Sequence, residues 1–132
     1  MFDNGKESEF YKVLRDNRVD AYLVGEFHDV TVLESEGIWQ IVHGSSWGRA
    51  VVNTEDYLVA EISGNEFRLT LKRIYMDVDG GYMWNLNKER GPREIVRIHD
   101  GTLKNGPEVT GTLTITNIDG NKTYTGRTGY FK

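Results

Sequence analysis

The sequence predicts a mainly β fold, an antiparallel barrel or sandwich of about eight to ten short strands behind one N-terminal helix, α+β by strict count of elements. Three observations predict it. Helical spacing is confined to the first segment, apolar residues recur with period two from Val19 onward, and Gly, Asn and Asp interrupt them every ten residues or so.

The helix is expected over about residues 5–17. In NGKESEFYKVLRDN, Asn4 can cap with Glu7 three residues on, while Phe10, Val13 and Leu14 fall on one face and Asn17 offers a stop. The strand-rich body then runs over about residues 19–131. A strand is read at Ile38 to Val42. In EFRLTLK, Phe67, Leu69 and Leu71 alternate with Arg68, Thr70 and Lys72, giving one core face and one solvent face. After Lys72-Arg73 the apolar residues Ile74, Met76 and Val78 take the opposite parity, which predicts a bulge near Arg73. Asp79-Gly80-Gly81 reads as a turn before YMWNL. The clearest hairpin is VTGTLTITNIDGNKTYTGRTGYF, with Asp119-Gly120 supplying the left-handed residues of a tight turn.

A chain of 132 residues can bury one core without staples, so residues 1–132 are read as a single domain. The absence of cysteine excludes disulfides, thiolate metal sites, iron–sulfur clusters and cysteine nucleophiles. MFDNGKESEF has neither the basic nor the apolar region of a secretion signal and no apolar run reaches membrane-spanning length, so a cytoplasmic protein, or one carried in a virion, is expected, with no membrane partner. The net charge of -4 is unevenly spread: residues 1–66 hold 13 Asp/Glu and 5 Lys/Arg, residues 67–132 hold 7 and 11. Four of those eleven lie in KERGPREIVR, Lys88 to Arg97.

Several segments imitate reactive sites. GSSWG, Gly44 to Gly48, fits the G-x-S-x-G elbow, and Ser46, Asp79 and His99 follow in the chain order of a hydrolase triad. An elbow needs a helix directly after the serine, whereas RAVVNTEDYLVAEI is β-branched, and the remaining chain is too short for a parallel sheet with crossover helices. The segment therefore reads as a Gly-Ser loop between strands, and no catalytic residue is expected. His28, His43 and His99 have no ligand spacing, so neither a metal nor another cofactor is expected. DVDGG (Asp77 to Gly81) and NIDGN (Asn117 to Asn121) share positions with calcium loops but lack the twelfth-position glutamate and flanking helices, and read as hairpin turns. Thr110, Thr112, Thr114 and Thr116 line one face of a strand; such a ladder matches a regular lattice such as ice only when strands carrying it are stacked, and one strand is visible, so they read as solvent-facing strand formers.

What remains points to binding. Trp39, Trp47 and Trp84 with seven tyrosines exceed the needs of a small core, and Trp, Tyr and Arg dominate protein interfaces. Trp47 and Arg49 in the glycine-rich loop, Trp84, and Arg90, Arg93 and Arg97 of the basic segment are the candidate contact residues. Opposite charge in the two halves suits a head-to-tail homo-oligomer. The reading is a non-catalytic binding or assembly module acting through protein–protein contacts, as in phage structural proteins or inhibitors of host proteins. A nucleic-acid-binding β domain using the 88–97 segment with Trp84 or Tyr82 is a further alternative, set against an acidic whole of pI ≈ 5.4.

Gly37-Ile38-Trp39 resembles the G-x-W signature on the first strand of lipocalins, where the tryptophan closes the barrel bottom under a late arginine. The resemblance covers three residues. It implies an eight-stranded barrel holding a small apolar ligand, with Arg127 in the arginine's place, and makes a ligand-holding barrel the first alternative.

Overall fold

The computed structural model describes residues 5–25, 30–43, 54–78 and 96–132. Its elements run α1 (Glu9–Asp16), β1 (Ala21–Val24), β2 (Val30–Ser35), β3 (Ile38–His43), β4 (Thr54–Ser63), β5 (Glu66–Val78), β6 (Val96–Ile98), α2 (Asp100–Asn105), β7 (Glu108–Ile118) and β8 (Asn121–Gly129). The fold is mainly β, as the periodicity requires. Among the described residues the strands form two sheets that do not close into a barrel: β1-β3-β2, and β4-β5-β7-β8 with β6 paired to β5. Every described pairing is antiparallel except β1 with β3.

The layers follow from strand parity. On β3, Trp39 and Ile41 face the five-stranded sheet and join Leu69, Leu71, Leu113, Ile115 and Phe131 in one buried cluster. Ile38, of the other parity, meets Tyr11 and Leu14 of α1. β3 is thus the middle strand of a helix–sheet–sheet stack and is apolar on both faces, which is why IWQIV is nearly continuous in apolar residues.

α1 differs from its sequence reading at its start. Ser8, not Asn4, caps it, accepting from the Tyr11 amide at 3.1 Å, behind a 3-10 turn at Gly5–Glu7. Its buried face is Tyr11 and Leu14, whereas Phe10 and Val13 are exposed, because the sheet meets the helix one position round from the expected stripe. Phe10 instead packs edge-on against Tyr22, 5.0 Å between ring centres. Asn17 does end the helix, its side-chain amide donating to the Val13 carbonyl at 2.9 Å.

Turn chemistry sets the hairpins. Asp119 and Gly120 both have positive φ (50° and 86°), the two-residue turn expected between β7 and β8, and the Asn117 side chain accepts from the Gly120 amide at 3.1 Å. NIDGN is accordingly a hairpin turn. Glu36 and Gly37 (φ 51° and 77°) do the same between β2 and β3.

The expected bulge lies beside the predicted place and on the other strand. β5 pairs with β4 without interruption, and the shift falls between Leu71 and Lys72 in the pairing with β7, where Thr110 is the extra residue. The parity change on β5 marks the end of the core. Past Leu71, Arg73 takes the inward position and is held by the directly opposed Asp56 through two hydrogen bonds at 3.0 and 3.1 Å. Those bonds raise the guanidinium pKa, so Arg73 stays charged at the edge of the core.

Candidate functional site

Beyond that ion pair, β5 enters a region absent from the sequence reading. α2, unforeseen because six residues with Gly101 inside show no helical period, docks on β5 through both backbone groups of Tyr75. The Tyr75 amide donates to Thr102 Oγ1 at 3.0 Å and its carbonyl accepts from the His99 amide at 2.8 Å. A local signal did exist: Asn105-Gly106-Pro107 is a helix stop, and Gly106 has φ 77°.

Between β5 and α2 lies an open cleft of about 710 Å³, floored by Met76 and Thr102 and flanked by Tyr75, Asp77, His99 and Glu108. Tyr75 donates its phenolic hydrogen to Glu108 at 2.5 Å. This bond, and then partial burial, raise the phenol's pKa, since the neutral hydroxyl is the form that can donate. Ile98 and Leu103 stand exposed nearby on β6 and α2 (44% and 66%), a rim of apolar surface beside an acidic cleft.

His99 belongs to the architecture of this cleft. Its Nδ1 accepts from the Gly101 amide at 2.9 Å, capping α2, which leaves the neutral ring's hydrogen on Nε2. Nε2 lies 3.8 Å from Asp77 Oδ1. A general base needs a ring nitrogen free to meet a substrate proton, and here one nitrogen caps a helix and the other faces a carboxylate. The aspartate beside His99 is Asp77 of β5, whereas the triad pattern named Asp79, which with Ser46 lies outside the described residues. Among the described residues no group of three or more potential metal ligands comes together.

Of the predicted contact residues, Arg97 is described: it is exposed on β6, directly opposite Asp77 in the pairing with β5. Trp47, Arg49, Trp84, Arg90 and Arg93 lie outside the described residues, as does His28. Tyr75 and Glu108, central to the cleft, were not singled out by sequence, because 33 positions separate them and only the β5–β7 pairing brings them together.

The feature behind the lipocalin resemblance is present without the barrel. Arg127 Cζ sits 5.1 Å from the centre of the Trp39 ring, and its Nε donates to the Phe131 carbonyl at 2.8 Å. Trp39 is 2% exposed, and the neighbouring space is filled by Phe131, 6.0 Å from Trp39 between ring centres, and by Tyr124 at 5.8 Å. The Trp–Arg contact here joins β3 of one sheet to β8 of the other. No known protein family, curated protein or solved structure matches the chain. Among the described residues no helix is long and apolar enough to cross a membrane.

Proposed function

We infer that the protein is a non-catalytic binding module of sandwich-like architecture, acting through protein–protein contacts, and that the β5–α2 cleft is its receptor for a cationic side chain. The observation that carries this is the composition of the cleft: Asp77, Glu108 and Tyr75 all line it, and apolar Ile98 and Leu103 are exposed on β6 and α2. A cation held between two carboxylates and over an aromatic ring gains from both charge and the ring quadrupole.

The chain itself carries a chemically matched partner. KERGPREIVR supplies Arg90 and Arg93, opposite in sign to the cleft, so a second copy is the occupant favoured by charge. Joining a cleft on one copy to a basic segment on the next is a heterologous contact, which builds rings or filaments.

The test is native mass spectrometry over a concentration series, comparing the wild type with Asp77→Lys/Glu108→Lys. The wild type associates and the variant remains monomeric, with circular dichroism unchanged. A wild type monomeric throughout, or a variant that associates equally well, removes the cleft from the account.

A further inference from the structure

His99 has two neighbours in the cleft that a single proton sets against each other. In the neutral ring Nδ1 accepts from the Gly101 amide at 2.9 Å and caps α2, so the ring hydrogen sits on Nε2, 3.8 Å from Asp77 Oδ1. That separation is too long for a hydrogen bond, and the Asp77 carboxylate keeps its charge for the cleft. An imidazolium carries hydrogens on both nitrogens. Its Nδ1 confronts the Gly101 amide donor to donor and the cap is lost, while Nε2 gains a charged partner in Asp77. The ring lies close over the first turn, since a Cβ added at Gly101 would be 3.0 Å from Nδ1, so two donors cannot share that place.

The rest of the attachment of α2 is indifferent to that proton. The Tyr75 amide donates to Thr102 Oγ1 at 3.0 Å, the Tyr75 carbonyl accepts from the His99 amide at 2.8 Å, and the Leu103 amide donates to the His99 carbonyl at 3.1 Å. These are backbone and hydroxyl groups, which do not titrate. About half of the His99 side chain is exposed (52%), so the ring can turn from Gly101 toward Asp77 while helix and strand keep their places.

Among the described residues, the charged and titratable groups around the ring come from four elements: Asp77 and Tyr75 on β5, Arg97 opposite Asp77 on β6, Asp100 on α2 and Glu108 on β7. Three carboxylates stand against one guanidinium. The Tyr75 phenol is committed as a donor to Glu108, which keeps it neutral. Carboxylates ordinarily titrate at about pH 4, phenols at about 10 and guanidinium above about 12, whereas an imidazole changes charge between about pH 5 and 8.

The consequence for a bound cation follows from charge. With the ring neutral, Asp77 and Glu108 are both available to the occupant. With the ring protonated, Asp77 is paired within the chain and a like charge stands beside the occupant's own, an opposition that at about 4 Å is on the order of tenfold in affinity. Linkage makes the effect mutual, since a bound cation holds the ring in its neutral, capping form. We propose, resting on the cleft's role as a cation receptor, that His99 is its proton switch: neutral, it leaves the cleft open to a cationic side chain, and protonated, it closes on Asp77 and expels it.

The test is sedimentation equilibrium of the whole protein at two pH values, about 7.5 and about 5.5, on either side of ordinary imidazole titration. The wild-type association constant falls roughly tenfold between them. His99→Asn keeps a good helix cap but takes up no proton, so its ratio of constants stays near unity; the variant retains His28 and His43, which controls for them. In the same window the Gly101 amide resonance of the wild type shifts as the His99 ring titrates. Equal wild-type association at both pH values, a His99→Asn constant that falls as far as the wild type's, or a Gly101 amide unmoved while the ring titrates overturns the switch and leaves the receptor standing. A wild type monomeric at both pH values removes the receptor, and the switch with it. Should His99→Asn not fold, His99→Ser, another strong cap, decides by the same ratio.

Discussion

Phe131 offers the sharpest test of how the two sheets are held. It is 0% exposed, near Trp39 and beneath Gly111, where an added Cβ would lie 3.0 Å from its ring. Its backbone is fixed as well: the Phe131 amide donates to the Thr128 carbonyl at 3.0 Å and its own carbonyl accepts from Arg127. Phe131→Ala removes a fully buried ring from the space between the sheets and leaves a cavity that the paired strands cannot close. Such truncations cost about 3–5 kcal/mol. Small domains have only about 5–15 kcal/mol to lose, so the expected fall in Tm is roughly 10–15 °C, between the values typical of smaller and larger domains. Urea denaturation followed by circular dichroism checks it through the midpoint, with the slope unchanged. A loss below about 1 kcal/mol would refute the placement of Phe131 between the sheets.

Gly129 is a second structural test: with φ 52°, an added Cβ would fall 1.7 Å from the Thr110 carbonyl oxygen, so Gly129→Ala is expected to cost ~3 kcal/mol or more, read by thermal melting. In the cleft, Glu108→Gln removes the main reason that the Tyr75 phenol pKa is raised, so an NMR titration of Tyr75 should move toward the ordinary value of about 10. Lys6 bonds Glu36 at 2.7 Å, tying the N-terminal turn to the β2–β3 hairpin and holding the Glu36 carboxyl below its usual range. A lowered carboxyl pKa gives stability that is present above about pH 4.3 and lost as pH falls through the folded value, so Glu36→Gln should flatten the acid limb of Tm against pH, modestly because the pair is exposed. An identical acid limb in the two proteins would contradict that.

The parts of the fold legible in the sequence were those fixed by local chemistry. Alternation in EFRLTLK and VTGTLTIT, the Asp119-Gly120 turn and the Asn17 stop depend on neighbours a few residues apart, and all are present. The position of Arg127 over Trp39 followed from a three-residue resemblance, although two open sheets stand where a barrel was one alternative. What escaped was set by pairing at a distance. The parallel β1–β3 pair, the bulge residue Thr110 and the alignment of Thr70, Thr112 and Thr128 all depend on register between strands far apart in sequence. The cleft was hidden for the same reason. His99 falls in the chain order of a triad pattern, but its partners Gly101 and Asp77 are set by a helix too short to show periodicity and by the β5–β6 pairing.

The central claim is that an acidic cleft on one molecule receives the basic segment of another, and mixing two charge-reversed proteins tests it most directly. Asp77→Lys/Glu108→Lys makes the cleft basic, and Arg90→Glu/Arg93→Glu makes the segment acidic. Sedimentation equilibrium should show each variant alone as a monomer, because cleft and segment then share a sign, and an equimolar mixture as an associating system. Association of either variant alone, or a mixture that stays monomeric while both proteins remain folded, would contradict the account.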